Sequence, residues 1–163
     1  MFFSKPNRCE PCGKYCAVCL YIMTSDKFED HGGKQYKLKN YINCQSTNVV
    51  YAVFCKKCTK YVYVGETVDT LYQRQLLNLS RIKTKYGDPV AAHFYTDGHT
   101  IQDFSVMGLE KLHGDEQYRK TIENFRMVKL SPYRRQGIKT KVCHKKTRHY
   151  DSVTSVLLVH IQL

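Results

Sequence analysis

The residues with the most evident chemistry are cysteines, of which the chain has eight. Four of them form the pattern C-x2-C-x3-C-x2-C, at Cys9, Cys12, Cys16 and Cys19, and Cys44 follows shortly before an apolar run. Thiolates at such intervals are typical ligands of Zn²⁺, which takes four ligands in a tetrahedron. Five thiols are one more than a zinc ion needs, so two sets of four ligands are considered. Cys12, Cys16, Cys19 and Cys44 would tie the N-terminal segment to the core, whereas the first four would make a closed knuckle.

A second candidate metal set combines thiols with imidazoles. Cys55 and Cys58 form a C-x2-C pair, and His93 and His99 follow with five residues between them. A hairpin turn can place two thiolates, and a short helix with its exit loop can supply two imidazoles, which are suitable Zn²⁺ ligands. Two surface thiols and two unrelated histidines would show the same spacing. A structural zinc ion here would contribute on the order of 10 kcal/mol to folding.

A third set of side chains suits phosphodiester hydrolysis. Tyr51 and Tyr63 lie in successive predicted strands, and antiparallel pairing would bring their phenols together. Arg74 follows on the next predicted helix and Glu123 on the last one. Together they offer a proton acceptor, a cation for a developing oxyanion and a carboxylate for a metal ion.

The strands that must position these residues are marked by β-branched and aromatic runs. Residues 49–54 form the first run and residues 60–67 the second, with a CKKCT turn between them. In residues 102–109 apolar side chains alternate with others, although not strictly, and this pattern indicates a third strand. The sequence therefore predicts a small antiparallel three-stranded sheet.

Three helices are predicted around that sheet, which makes the fold class α/β, of the α+β kind. Asp69 or Thr70 caps the first helix, Pro89 begins a short second one that reaches residue 95, and Asp115 opens a third that ends before Ser131. Spacing predicts that each longer helix buries one apolar stripe. These stripes are Tyr72, Leu76 and Leu79 in the first helix, and Tyr118, Ile122, Phe125 and Val128 in the third.

Composition divides the chain into three regions. Residues 1–47 form a Cys-rich arm with little periodicity, broken at Gly32-Gly33, and residues 48–133 hold the predicted sheet and helices. Residues 134–163 form a basic tail, which we expect to be poorly ordered. The net charge of the whole chain is +12. This balance favours a polyanionic partner, with DNA as the first candidate and RNA as the alternative.

The sequence shows no export signal and no membrane span. Lys5 and Pro6 precede any apolar stretch of signal-peptide length, and the apolar run at 153–163 is too short to cross a bilayer as a helix. We therefore expect a soluble intracellular protein, in the nucleus rather than the cytoplasm, with no membrane partner. Clustered cysteines in a reducing compartment favour metal binding, and disulfides would be preferred only in a secreted protein.

The order of these motifs resembles the GIY-YIG nuclease superfamily. VVY at 49–51 and YVG at 63–65 are similar to its paired signature, and VYVGETVDTLYQR at 62–74 places Arg74 where the family keeps an essential arginine. Glu123, in RKTIENF, falls at the position of the family's metal-binding carboxylate. The segments NCQSTNVVY, CKKC and DPVAAHFYTDGH most resemble the endonuclease region of Penelope-like retroelements. The resemblance covers roughly residues 9–132.

This resemblance implies a DNA endonuclease with a compact sheet flanked by helices and one divalent ion, Mg²⁺ or Mn²⁺, held by Glu123. Tyr51 would take the proton of the attacking water, Arg74 would stabilise the phosphorane, and Tyr63 would position the substrate or handle a proton. Gly65 would permit a close backbone approach. The Cys-Cys-His-His set of the retroelement enzymes maps onto Cys55, Cys58, His93 and His99, and implies structural zinc.

Three departures from the family pattern support an alternative function. Val49 replaces the first glycine of the family signature, Asn78 stands where relatives often have histidine, and SPYRRQ at 131–136 replaces the usual ending. The alternative is a catalytically impaired, zinc-bearing nucleic-acid-binding module derived from a retroelement nuclease.

Overall fold

The structure is a computed structural model that describes residues 4–130. Its class is α+β, with small antiparallel sheets and a few helices. The predicted basic tail at 134–163 lies outside the described residues. No helix within residues 4–130 is long and apolar enough to span a membrane.

The central sheet has three antiparallel strands in the order β4-β3-β5. The strands are β3 (Val49–Cys55), β4 (Lys60–Thr67) and β5 (Phe104–Lys111). The first two lie where the sequence predicts them. The third was predicted two residues too early, because Thr100 accepts a hydrogen bond from the backbone of Gln102 and caps a 3₁₀ turn at Ile101–Asp103. The strand begins only after this turn.

The pairing of β3 with β4 places both candidate tyrosines on one side of the sheet. Tyr51 lies opposite Gly65, and Val53 lies opposite Tyr63. Since side chains alternate along a strand, Tyr51 and Val53 share a face, and their partners Gly65 and Tyr63 share it with them. The register therefore brings the two phenols to the same surface.

Helix α1 (Leu71–Lys83) begins with a capping box in which Thr70 and Gln73 satisfy each other's backbone N–H groups. The predicted buried stripe is partly wrong, because Leu76 is 42% exposed. The residues that α1 buries are Leu71, Gln75, Asn78, Leu79 and Ile82. Two of these are amides, so the helix turns a mixed face inward. An apolar pattern cannot reveal such a face.

Helix α3 (Glu116–Leu130) also differs from the predicted stripe. Tyr118 and Phe125 are 45% and 50% exposed, and the side chain of Val128 lies outside the described residues. The orientation of α3 is explained by ion pairs with the sheet. Arg126 donates to Glu110 of β5 at 2.6 Å, and Arg119 pairs with Glu66 of β4 at 3.2 Å.

The N-terminal arm contains more regular structure than predicted. Two short strands, β1 (Lys27–Glu29) and β2 (Gln35–Lys37), pair across the Gly32-Gly33 turn, and a 3₁₀ turn occupies Cys19–Tyr21. Their pattern is too short for periodicity to detect. The arm also packs into the main core, where Val18 and Ile42 are fully buried.

The arm and helix α2 complete the surroundings of the sheet. The N–H of Met23 donates to the carbonyl of Val106 at 2.8 Å, so the arm lies along the outer side of β5. Helix α2 (Pro89–His93) begins at the predicted proline and is capped by Asp88, but it ends at His93 rather than residue 95.

Candidate metal centres and active site

Four sulfur atoms of the N-terminal region converge on one point. The Sγ atoms of Cys12, Cys16, Cys19 and Cys44 all lie within 4.8 Å of one another. The closest pair, Cys16 and Cys19, is 3.2 Å apart, and the Cys19–Cys44 distance is 3.7 Å. A tetrahedral Zn²⁺ with Zn–S bonds of about 2.3 Å separates its sulfurs by about 3.8 Å. The donor set therefore fits zinc.

Cys9 stays outside this cluster. Its side chain is fully buried, and its Sγ accepts a hydrogen bond from the N–H of Gly108 on β5 at 3.3 Å. Burial raises the pKa of the Cys9 thiol, and it also raises the pKa of Cys44 inside the cluster, so these shifts do not separate the two sets. The N–H of Lys14 lowers the pKa of Cys12 to about 7. Of the two sets left open by the sequence, the structure brings together the one that includes Cys44.

The second cluster joins the β3–β4 turn to α2. The ligand atoms of Cys55, Cys58, His93 and His99 lie within 4.8 Å of one another. The Sγ of Cys58 is 3.2 Å from Nε2 of His99 and 3.7 Å from Nε2 of His93. Two sulfurs and two imidazole nitrogens at these separations form a donor set that could bind Zn²⁺.

Backbone contacts orient the ligands of this second cluster. The N–H of Cys58 donates to Sγ of Cys55 at 3.3 Å, as expected for a tight turn around a thiolate. The Nδ1 of His99 lies 3.1 Å from the carbonyl oxygen of Thr96. Because a carbonyl only accepts, this contact places the proton on Nδ1 and leaves Nε2 with a lone pair toward Cys58.

The two tyrosines meet above Gly65. Their ring centroids are 6.3 Å apart. A Cβ atom added to Gly65 would lie 2.9 Å from the hydroxyl oxygen of Tyr63 and 3.0 Å from that of Tyr51. Both hydroxyls therefore converge on the space that a side chain at this position would fill. Glycine is required here for space.

Arg74 and Glu123 act electrostatically on this tyrosine pair. Burial raises the pKa of Tyr51 far above its ordinary value, and the charge of Arg74 lowers it in part. The pKa of Tyr63 is raised by burial first and by Glu123 second, and Arg74 again opposes the shift. The charges of Arg74 and Glu123 therefore both act on the two phenols.

Glu123 is the most strongly perturbed carboxyl group of this site. Burial, followed by the negative charge of Glu66, raises its pKa to about 7. Glu66 itself is paired with Arg119 at 3.2 Å. A half-buried carboxylate beside a second one is stabilised by a bound cation, which makes this position chemically suited to a divalent ion.

Two amides belong to this site, and the sequence singled out Asn78 but not Gln75. Asn78 lowers the pKa of Tyr51, against the dominant effect of burial, and its Nδ2 donates to Oε1 of Gln75 at 2.9 Å. Gln75 is fully buried, and its Nε2 has no hydrogen-bond partner among the described residues. The spacing of Arg74 and Asn78 at i and i+4 was a signal of a polar face. For Gln75, no such signal exists.

Comparison with known proteins adds no assignment. No protein-family model, no curated protein and no solved structure matches this chain. The resemblance to GIY-YIG nucleases rests on motifs alone. Function must therefore be argued from the chemistry of the two metal clusters and the tyrosine site.

Proposed function

We propose that the protein is a divalent-metal-dependent DNA endonuclease of the GIY-YIG type, related to the endonuclease of Penelope-like retroelements and held together by structural zinc. One observation carries the proposal. Tyr51 and Tyr63 converge over Gly65 within reach of the charges of Arg74 and Glu123. A metal-free structural role would not need two phenols, a guanidinium and a carboxylate at one half-buried place.

The phenols supply hydrogen-bonding and proton-transfer groups. Tyr51 is only 2% exposed, and its raised pKa keeps the phenol protonated at neutral pH in the free protein. In that form Tyr51 donates a hydrogen bond and orients the attacking water. Its use as a base requires added positive charge nearby, in the direction in which Arg74 already acts. Tyr63, across Gly65, positions the substrate from the other side.

Arg74 and Glu123 supply the charges that phosphodiester hydrolysis needs. A guanidinium forms paired hydrogen bonds with phosphate oxygens and stabilises the negative charge that develops on them. Glu123 would hold Mg²⁺ or Mn²⁺, an ion that supplies Lewis-acid stabilisation of the phosphate and the leaving oxygen. A net charge of +12 favours DNA as the polyanion that reaches this site.

The experiment is a nicking assay on supercoiled plasmid with Mg²⁺. Arg74→Ala and Glu123→Gln should each lower the nicking rate at least about a hundredfold, because they remove charge from the transition state. Glu116→Gln is the matched control, since Glu116 lies on the same helix but pairs with Lys120 at the surface. Equal nicking by the wild type and both site variants would mean that the activity belongs to a contaminant.

A second candidate function is nucleic-acid binding without cleavage. Asn78 favours it, because this amide acts on Tyr51 and cannot exchange a proton near neutral pH. Salt-dependent DNA binding without nicking in Mg²⁺ or Mn²⁺ would select this function. If Asn78→His then gains nicking, the module retains an otherwise complete active site.

A further inference from the structure

The face of α1 that carries Arg74 continues to a second arginine. Arg74, Asn78 and Arg81 stand at i, i+4 and i+7, so they lie along one side of the helix. Seven residues of helix rise about 10 Å. Arg81 therefore extends the polar face from the tyrosine site toward the C-terminal end of α1.

Arg81 has an acidic partner in Asp88. Its Nη1 is 3.2 Å from Oδ2 of Asp88, and the two side chains are 36% and 20% exposed. After burial and Glu123, Asp88 raises the pKa of Tyr63, whereas Arg81 lowers it. This pair therefore acts on the phenol through its charges and remains accessible to solvent.

The guanidinium of Arg81 is positioned by its neighbours and has N–H donors for a further hydrogen-bond acceptor. It lies over the ring of Tyr86, with 5.3 Å between its central carbon and the ring centroid. A guanidinium has five N–H donors, and the bond to Asp88 uses one of them. Asp88 is itself fixed, because its Oδ1 accepts from the N–H of Ala91 at 2.9 Å.

We propose that Arg81 is a second phosphate-binding site, which contacts a phosphodiester flanking the one at Arg74, and that Asp88 competes with this phosphate. The inference rests on the proposed function only in assuming that a nucleic-acid strand crosses the tyrosine site. A separation of about 10 Å along the helix spans a few steps of about 3.4 Å along one strand. Arginine also matches the oxygen geometry of phosphate as it does that of carboxylate.

A purely structural role for the pair makes different predictions. If Arg81 and Asp88 only join α1 to α2, removal of either charge weakens the same link and both variants behave alike. If Asp88 competes with phosphate, the two variants move affinity in opposite directions. Asp88→Asn is suitable for this comparison, because asparagine is as good an N-cap as aspartate and preserves the start of α2.

The experiment measures duplex binding by the full chain with Glu123→Gln as background, in zinc-replete buffer without Mg²⁺, over a range of salt. Arg81→Gln should weaken binding roughly three- to tenfold and reduce the slope of log K against log salt by about one. Asp88→Asn should strengthen binding. Lys83→Gln is the matched control, since it removes one charge from the same last turn of α1 but lies on another side.

The proposal is overturned if Arg81→Gln behaves like Lys83→Gln, or if Asp88→Asn weakens binding as Arg81→Gln does. A nicking assay on the same substitutions, made in a chain that keeps the native Glu123, separates this proposal from the proposed function. A protein that does not nick but shows the opposite effects of Arg81→Gln and Asp88→Asn retains the phosphate site and loses the endonuclease function. A protein that nicks without these effects retains the function and loses the site.

Discussion

The backbone N–H of Tyr72 donates a 2.7 Å hydrogen bond to the carbonyl oxygen of Cys44. The N–H of Leu71 likewise donates to Ser46 at 2.9 Å. The first N–H groups of a helix have no partner within the helix, so the segment that follows the four-cysteine cluster satisfies the start of α1. Arg74 stands just beyond this junction. Cys44 of the cluster is therefore hydrogen-bonded to the start of the helix that carries Arg74.

Zinc content should depend on some cysteines and not on others. We expect two zinc ions per wild-type chain, one in each cluster. The variants Cys16→Ser and Cys58→Ser should each retain a single zinc ion per chain, because each loses a ligand of one cluster. Cys9→Ala should keep both, because Cys9 contacts Gly108 rather than the cluster. Elemental analysis of protein purified without chelator gives these counts. Loss of zinc in Cys9→Ala would show that the closed knuckle, not the Cys44 set, binds the metal.

Gly65→Ala should disrupt the tyrosine pair. The new Cβ would lie 2.6 Å from Cε1 of Tyr63, which requires the ring to move. Overpacking of this kind typically costs about 1–3 kcal/mol in the free energy of unfolding. The displaced phenols should also abolish the proposed nicking. Denaturant unfolding and the plasmid assay measure the two effects.

Gly87→Ala is the control for this substitution, since nothing lies within 4 Å of an added Cβ there. It should leave both stability and nicking close to those of the wild type. Equal behaviour of the two alanine variants would contradict the convergence of the phenols over Gly65.

Protein stability should fall with rising pH because of Glu123. Its pKa is about 7 in the folded protein, against an ordinary value of 4.5. Between these values the folded state binds more protons than the unfolded state, so the free energy of unfolding decreases as pH rises through this window. Glu123→Gln removes the effect and should unfold at a higher temperature than the wild type at pH 8, but not at pH 4.

Thermal unfolding without Mg²⁺ and without chelator tests this prediction while both zinc clusters stay intact. Addition of Mg²⁺ at pH 8 should stabilise the wild type and not Glu123→Gln, since an ion bound by the carboxylate favours the folded state. The opposite result would be a difference in melting temperature, wild type minus Glu123→Gln, that increases from pH 5 to pH 8. It would show that burial does not destabilise the charged form of this carboxyl group.

The ion pair of Arg126 with Glu110 should be important for stability. Its side chains are only 10% and 14% exposed, so Arg126→Met leaves a nearly buried carboxylate without its partner. The expected loss is about 3 kcal/mol. Lys120→Met, which removes an exposed pair on the same helix, should cost less than about 0.5 kcal/mol. Urea unfolding of both variants provides the comparison, and equal losses would contradict the role of burial.

The sequence predicts the sheet well because its strands are long apolar runs joined by a tight turn. Val49–Cys55 and Lys60–Thr67 carry enough β-branched and aromatic residues to determine both strands and their pairing. The register does not follow from these runs alone, because a shift between Val53 and Phe54 sets Tyr63 opposite Val53 and so places it on the face of Tyr51. Local signals also restricted the cap of α1 to Asp69 or Thr70, of which the structure has Thr70, and gave Pro89 as the first residue of α2.

The inward faces of the helices could not be predicted in the same way. Gln75 is fully buried and Leu76 is not, although leucine is the more apolar residue. In α3, Arg126 is buried because Glu110 lies opposite it on β5, a contact that only the folded chain creates. Tertiary ion pairs and a polar site thus override the apolar periodicity. The same reasoning explains why the choice between Cys9 and Cys44 needed coordinates.

The backbone hydrogen bond from Met23 to Val106 has a consequence for N-terminally truncated forms of the protein. A β-strand at the border of a sheet offers unpaired N–H and C=O groups, which readily pair with another molecule. Here the N-terminal arm covers β5. A shortened chain that begins near residue 48 would uncover this border, and self-association should follow. The cysteine-bearing arm therefore shields this border of the sheet from other molecules.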